Sequence, residues 1–126
     1  MTTNPGEWSR AKPLVERALK YAGGTHTAED ILDAILAKTM QLWMGERSAI
    51  VTEIMVYPQL TSCRIFLAAG QKAELRDVLR LKVEAFALEQ GATRMEIIGR
   101  RGWTRVLADA GYTPASAVIT KELGDE

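Results

Sequence analysis

The chain has 126 residues, 47% hydrophobic and 25% charged, which suits one globular domain spanning 1–126 with a two- or three-layer core. Sixteen basic residues balance sixteen acidic ones, so no long-range field draws it to nucleic acid or an anionic membrane. A single cysteine, Cys63, and a single histidine, His26, exclude an internal disulfide and a Cys/His zinc cluster; no metal is expected.

The opening "MTTNPGEWSR" has neither the basic start nor the apolar stretch of a signal peptide, and no apolar run reaches the length of a membrane span. A soluble protein is expected. Residues 1–12 read as a flexible or short helical segment. Leu14, Val15, Ala18, Leu19 and Ala22 then fall at helical spacing, with Pro13 suited to a first turn and Gly23-Gly24 closing the helix. In "THTAED", Thr27 is placed to cap and Asp30 to favour the positive helix end. The stripe Ile31, Leu32, Ile35, Leu36, Met40, Trp43 predicts a second helix that runs on to Gly45.

"SAIVTEIMVYP" is apolar on both alternating faces and predicts an interior strand. Pro58 stops it, and "SCRIFLAAG" returns as the antiparallel partner of a hairpin. A long helix follows Gly70 to about Gln90, with Leu75, Leu79, Val83 and Phe86 on one side and Gly91 at its end. "TRMEIIG" predicts a strand parallel to "SCRIFLAAG", because the intervening helix has crossover length. Arg101 to Ala110 predicts a further helix with Trp103, Val106, Leu107 and Ala110 inward, Gly111 ends it, and "ASAVITKEL" predicts a last strand. The fold class is α/β, a mixed sheet covered by helices, in the order ααββαβαβ.

In such a sheet, ligands sit where a strand's C-terminal end meets a helix start, because free N–H groups and the helix dipole converge there. Two corners qualify. One is Gly70, Gln71 and Lys72. The other is "IIGRRGWTR", where Gly99 and Gly102 free the backbone and Arg100, Arg101 and Arg105 offer an anion clamp or, alternatively, salt bridges to Glu53 or Glu96. Glu53 is the one acid in an apolar strand, either a general base with a raised pKa or the partner of an arginine. The crossover geometry favours pairing Glu53 with Arg100. Trp103 reads as core, Cys63 as a small buried hydrophobe and His26 as a turn residue.

The segments "VTEIMVYP", "IFLAAG", "EAFALEQGATRMEIIGRRGW" and "LADAGY", within residues 27–122, resemble GCN5-related N-acetyltransferase (GNAT)-like proteins encoded by tailed bacteriophages and prophages, which carry a Gly-Arg-x-Gly-Trp turn. The resemblance implies a trimmed, three-layer GNAT-like fold, with Gly70, Gln71 and Lys72 in the place of the acyl-CoA pyrophosphate loop. The chain departs from an active acetyltransferase in three places. "AAGQKAE" offers one glycine where the family loop has more, Leu107 stands where many members have a tyrosine acid, and Arg100 stands near a frequent asparagine. The expectation is therefore a non-catalytic, virion-associated or host-directed binding or structural protein with no cofactor. Its partner is another phage or host protein or a second copy, and it resides in the bacterial host cytoplasm or the virion. The alternative is an N-acyltransferase using acetyl-CoA or another acyl-CoA on an amine, with Glu53 as base.

Overall fold

A computed structural model describes residues 5–22, 24–97, 107–115 and 119–124. Helix α1 spans Pro5–Leu19 and presents Ala11 and Val15, both fully buried, with Trp8, Ala18 and Leu19 beside them. The helix thus begins eight residues before Pro13. Pro5 holds the first helical position, where a missing N–H costs nothing, and Pro13 sits on the exposed side of the interior. Helix α2, Ala28–Leu36, opens on the expected cap: the Thr27 N–H donates to Asp30 Oδ2 at 2.9 Å and the Asp30 N–H to Thr27 Oγ1 at 3.2 Å.

α2 stops at Leu36, and the stretch predicted to extend it is a strand, β1 (Gln41–Met44). Lys38 adopts a left-handed φ of 66°. Its N–H reaches Ile35 O at 3.1 Å and the Thr39 N–H reaches Ala34 O at 2.9 Å, which closes the helix as a glycine usually does. Past that cap the apolar residues alternate: Leu42 enters the core beneath α1 and α2, and Trp43 the core on the other face.

A tight turn joins β1 to β2 (Ser48–Val56), with the Gly45 N–H donating to Ser48 O at 2.9 Å, and β2 pairs antiparallel with β3 (Thr61–Gly70) as the sequence predicts. The register shifts at Val51/Thr52, so that Val51 faces Leu67 and Thr52 faces Ile65, leaving Phe66 as the extra residue. The long helix is α3 (Lys72–Val78), a π-helical turn (Leu79–Val83) and α4 (Glu84–Glu89) in succession. It carries the chain to β4 (Arg94–Ile97), parallel to β3.

Among the described residues the sheet order is β1-β2-β3-β4. One face packs Ile31, Ile35, Ala11 and Val15 over Ala49, Val51 and Leu67. The other packs Leu75, Val78, Leu79 and Val83 over Ile50, Cys63 and Ile65. Three layers result. Residues 101–106, the start of the predicted fourth helix, lie outside the described residues. Its end is a 3₁₀ turn, Ala108–Ala110, closed by Gly111 at φ 92°. The predicted last strand, 115–123, is not formed by its described residues, 115 and 119–123, while 116–118 lie outside. Among the described residues no helix is long and apolar enough to cross a membrane.

Candidate functional site

Gly70 ends β3 with φ 126°, a conformation open essentially to glycine. A Cβ there would run into the Arg47 carbonyl oxygen and the Ser48 Cα, so its bareness admits the β1–β2 hairpin backbone. Glu74, in the first turn of α3, secures the same junction: its Oε1 accepts from the Arg47 N–H at 2.8 Å and from the buried Ser48 hydroxyl. The helix start therefore already holds a carboxylate of its own. Gln71 and Lys72 are exposed beside it, and Gln71 makes no side-chain cap.

The Ser48 hydroxyl, then the Arg47 N–H, hold the Glu74 carboxyl below its ordinary range, and the Thr27 backbone N–H, then the Thr27 side chain, do the same for Asp30. A carboxyl whose pKa is lower folded than unfolded adds stability above its unfolded value, about 4, and that stability fades as pH falls through the folded value. The urea midpoint is thus expected to drop as pH is lowered from about 5 to about 3, with a shallower drop in Glu74→Gln. An unchanged pH slope in that variant contradicts the role given to Glu74.

Glu53 is half-buried on β2, and the residue directly opposite it on β3 is Arg64, which in turn lies opposite Glu96 on β4. The Arg64 guanidinium turns to Glu96: Nε lies 3.3 Å from Glu96 Oε1, and Nη2 donates to the Tyr57 hydroxyl at 2.9 Å. Tyr57 closes the triangle by donating to the same Glu96 oxygen at 3.0 Å. Burial works against the Arg64 charge, but the bonds to Glu96 and Tyr57 outweigh it and hold the guanidinium above its ordinary pKa. Arg100, Arg101, Arg105, Gly99, Gly102 and Trp103 lie outside the described residues, and so does the Glu53–Arg100 pairing.

Sequence reasoning missed Arg64 and Tyr57. The signal was the turn: Tyr57 N–H bonds Leu60 O at 2.8 Å and sets Val56 against Thr61, and three residues back along each strand Glu53 meets Arg64.

On the other face Leu107 is 1% exposed and packs with Cys63 and Ile65 in the apolar core. Tyr112, five residues later, donates its hydroxyl to Glu84 Oε2 at 3.0 Å, and burial, then the Glu84 charge, raises its pKa so that it stays a neutral donor. Cys63 is fully buried, and burial pushes its thiol up to about 11. A thiol-reactive dye at pH 8 is therefore expected to modify Cys63 only as fast as the protein unfolds. Rapid labelling without denaturant contradicts this placement. His26 sits in the loop before α2 with its ring edge-on to Phe66, centroids 4.6 Å apart. Among the described residues no three His, Cys, Asp or Glu side chains gather as a metal site.

No family model and no curated protein matches the sequence. Solved structures match over the whole chain. Thermus thermophilus TTHA1254 is 17% identical in a point-mutant crystal structure, with a TM-score of 0.68 over 100% of this chain and 98% of that one. Its wild type is 16% identical with a TM-score of 0.65 over the same shares. A Trypanosoma brucei acetyltransferase is 8% identical with a TM-score of 0.65, over 98% of this chain and 97% of that one. At these identities the likeness is one of fold, and the fold of this chain is a small, trimmed GNAT-like α/β fold.

Proposed function

We propose that this chain is a phage- or prophage-encoded GNAT-fold protein that works by binding, as a virion-associated or host-directed component, and not by acyl transfer. The observation that carries the reading is Leu107, an aliphatic side chain sealed in the core at the position where the sequence resemblance puts a tyrosine acid. General acid catalysis contributes about 10²- to 10⁴-fold, and an alkyl group supplies none of it. The Gly70 corner agrees with this. Its bare backbone is occupied by the chain's own hairpin, and Glu74 sets a negative charge beside that corner, which is unfavourable to a phosphate.

The phage assignment is supported by the Gly99-Arg100-Arg101-Gly102-Trp103 sequence, and the partner class by the neutral net charge, which favours protein over nucleic acid. The partner is another phage protein, a host protein or a second copy, met in the bacterial cytoplasm or the virion. Mass spectrometry of purified virions, set beside a tagged pull-down from infected cells, tests this. The reading predicts stoichiometric presence in the particle or one reproducible protein partner; neither appearing contradicts it.

One observation favours a second reading, an N-acyltransferase using acetyl-CoA or another acyl-CoA with Glu53 as base. β3 continues from Phe66 to Gly70 beyond its last described pair with β4, Ile65 with Ile97, so a length of strand edge leads to the Gly70 corner. Gly70, Gln71 and Lys72 would then meet the pyrophosphate.

A further inference from the structure

A cleft of about 840 Å³ opens at β1, the edge strand among the described residues, and runs from Ile35 at the end of α2 to Phe86 and Glu89 of α4; no step of the proposed function uses it. Its size is that of a site for a small organic molecule. Trp43 and Phe86 meet edge to face in its wall, with centroids 5.2 Å apart, and Met40, Leu42 and Ile54 extend the apolar lining.

The polar lining is biased toward donors, and a hydrogen-bond chain shows why. The Trp43 indole N–H can only donate, and it reaches Thr52 Oγ1 at 2.9 Å, so that hydroxyl must accept there. The Thr52 hydroxyl hydrogen is then directed to Gln41 Oε1 at 2.8 Å. With its oxygen engaged, Gln41 brings to the cleft an amide NH₂ group with two donors. Lys38 and Lys82 stand at the same cleft, and among the described residues neither side chain makes a hydrogen bond or ion pair. Glu89, also in the lining, is the opposing charge.

Two backbone irregularities converge on those lysines. Lys38 occupies the left-handed position that caps α2, where glycine would fit without strain, and Lys82 lies in the π-helical turn between α3 and α4. Such strain and such turns persist at sites of function, and each here carries a lysine that lines the same cleft as Trp43 and Phe86. We propose that this cleft binds a small carboxylate with an aromatic or aliphatic body: the ring or chain lies against Trp43 and Phe86, and the carboxylate accepts from Gln41, Lys38 and Lys82.

Titration with naphthoate, followed by ¹H–¹⁵N spectra of the intact protein, tests this. The Gln41 side-chain amide and the Trp43 indole signals are expected to shift saturably, while naphthylmethanol, with the same ring and no charge, shifts them far less. Lys82→Gln and Lys38→Gly should each weaken naphthoate by about fivefold or more. Lys38→Gly should also raise the melting temperature, since glycine relaxes the left-handed cap, which separates lost binding from lost folding. Equal shifts with naphthylmethanol, shifts confined to other residues, or wild-type affinity in both variants would overturn the proposal.

Discussion

Trp43→Ala should lower the unfolding free energy by about 3–5 kcal/mol, measured by urea denaturation. The indole is 6% exposed although β1 is an edge strand, because the ring lies inward between the sheet and α4, against Phe86. Truncation removes the largest apolar contact that ties β1 to the helical layer and leaves a cavity that β1, held by β2 alone among the described residues, cannot close without shifting. It also strips the fully buried Thr52 hydroxyl of its donor, at a further cost of about 1 kcal/mol. Trp43→Phe keeps most of the ring and loses the N–H, so it should cost well under half as much. A loss below about 1 kcal/mol in Trp43→Ala would place the indole outside the core.

Gly70→Ala should be nearly as damaging, at about 3 kcal/mol or more, for a different reason. The new methyl meets backbone, the Arg47 carbonyl and the Ser48 Cα, which cannot swing aside as a side chain tip can. Relief requires the β1–β2 hairpin to lift from α3, which breaks the Glu74 contacts to Arg47 and Ser48. Gly24→Ala is the matched comparison: Gly24 is also left-handed, at φ 75°, but nothing lies within 4 Å of a Cβ there, so only the conformational strain of about 1 kcal/mol applies. Equal losses in the two variants would show that φ alone governs Gly70 and that the hairpin does not rest on it.

The β2–β3 hairpin, the Thr27 cap and the parallel pairing of β3 with β4 were legible because each has a local signal that physics makes hard to evade: Pro58 at the turn, a threonine three residues before an acid, a crossover of helical length. β1 was not legible. Its four residues are too few to distinguish alternation from helical spacing, and the residue that ends α2 is Lys38 in a conformation that sequence reading assigns to glycine. The π-helical turn escaped for a related reason, since one extra residue inside a long helix leaves no breaker to read. At the site, Glu53 was singled out for its charge in an apolar strand, but its strand neighbour Arg64 follows from register, and the guanidinium spends its bonds on Glu96 and Tyr57. Leu107 was legible as a core residue.

Isothermal titration calorimetry of acetyl-CoA into the purified protein separates binding protein from acyltransferase most directly. A ligand taken up in a built loop gives saturable heat with unit stoichiometry. The closed Gly70 corner and the Glu74 charge predict no saturable heat up to about 1 mM acetyl-CoA, which corresponds to less than about 4 kcal/mol of binding free energy. A one-to-one isotherm with a micromolar or tighter Kd, weakened by Lys72→Ala, would contradict the account and establish the Gly70 corner as a working acyl-CoA loop.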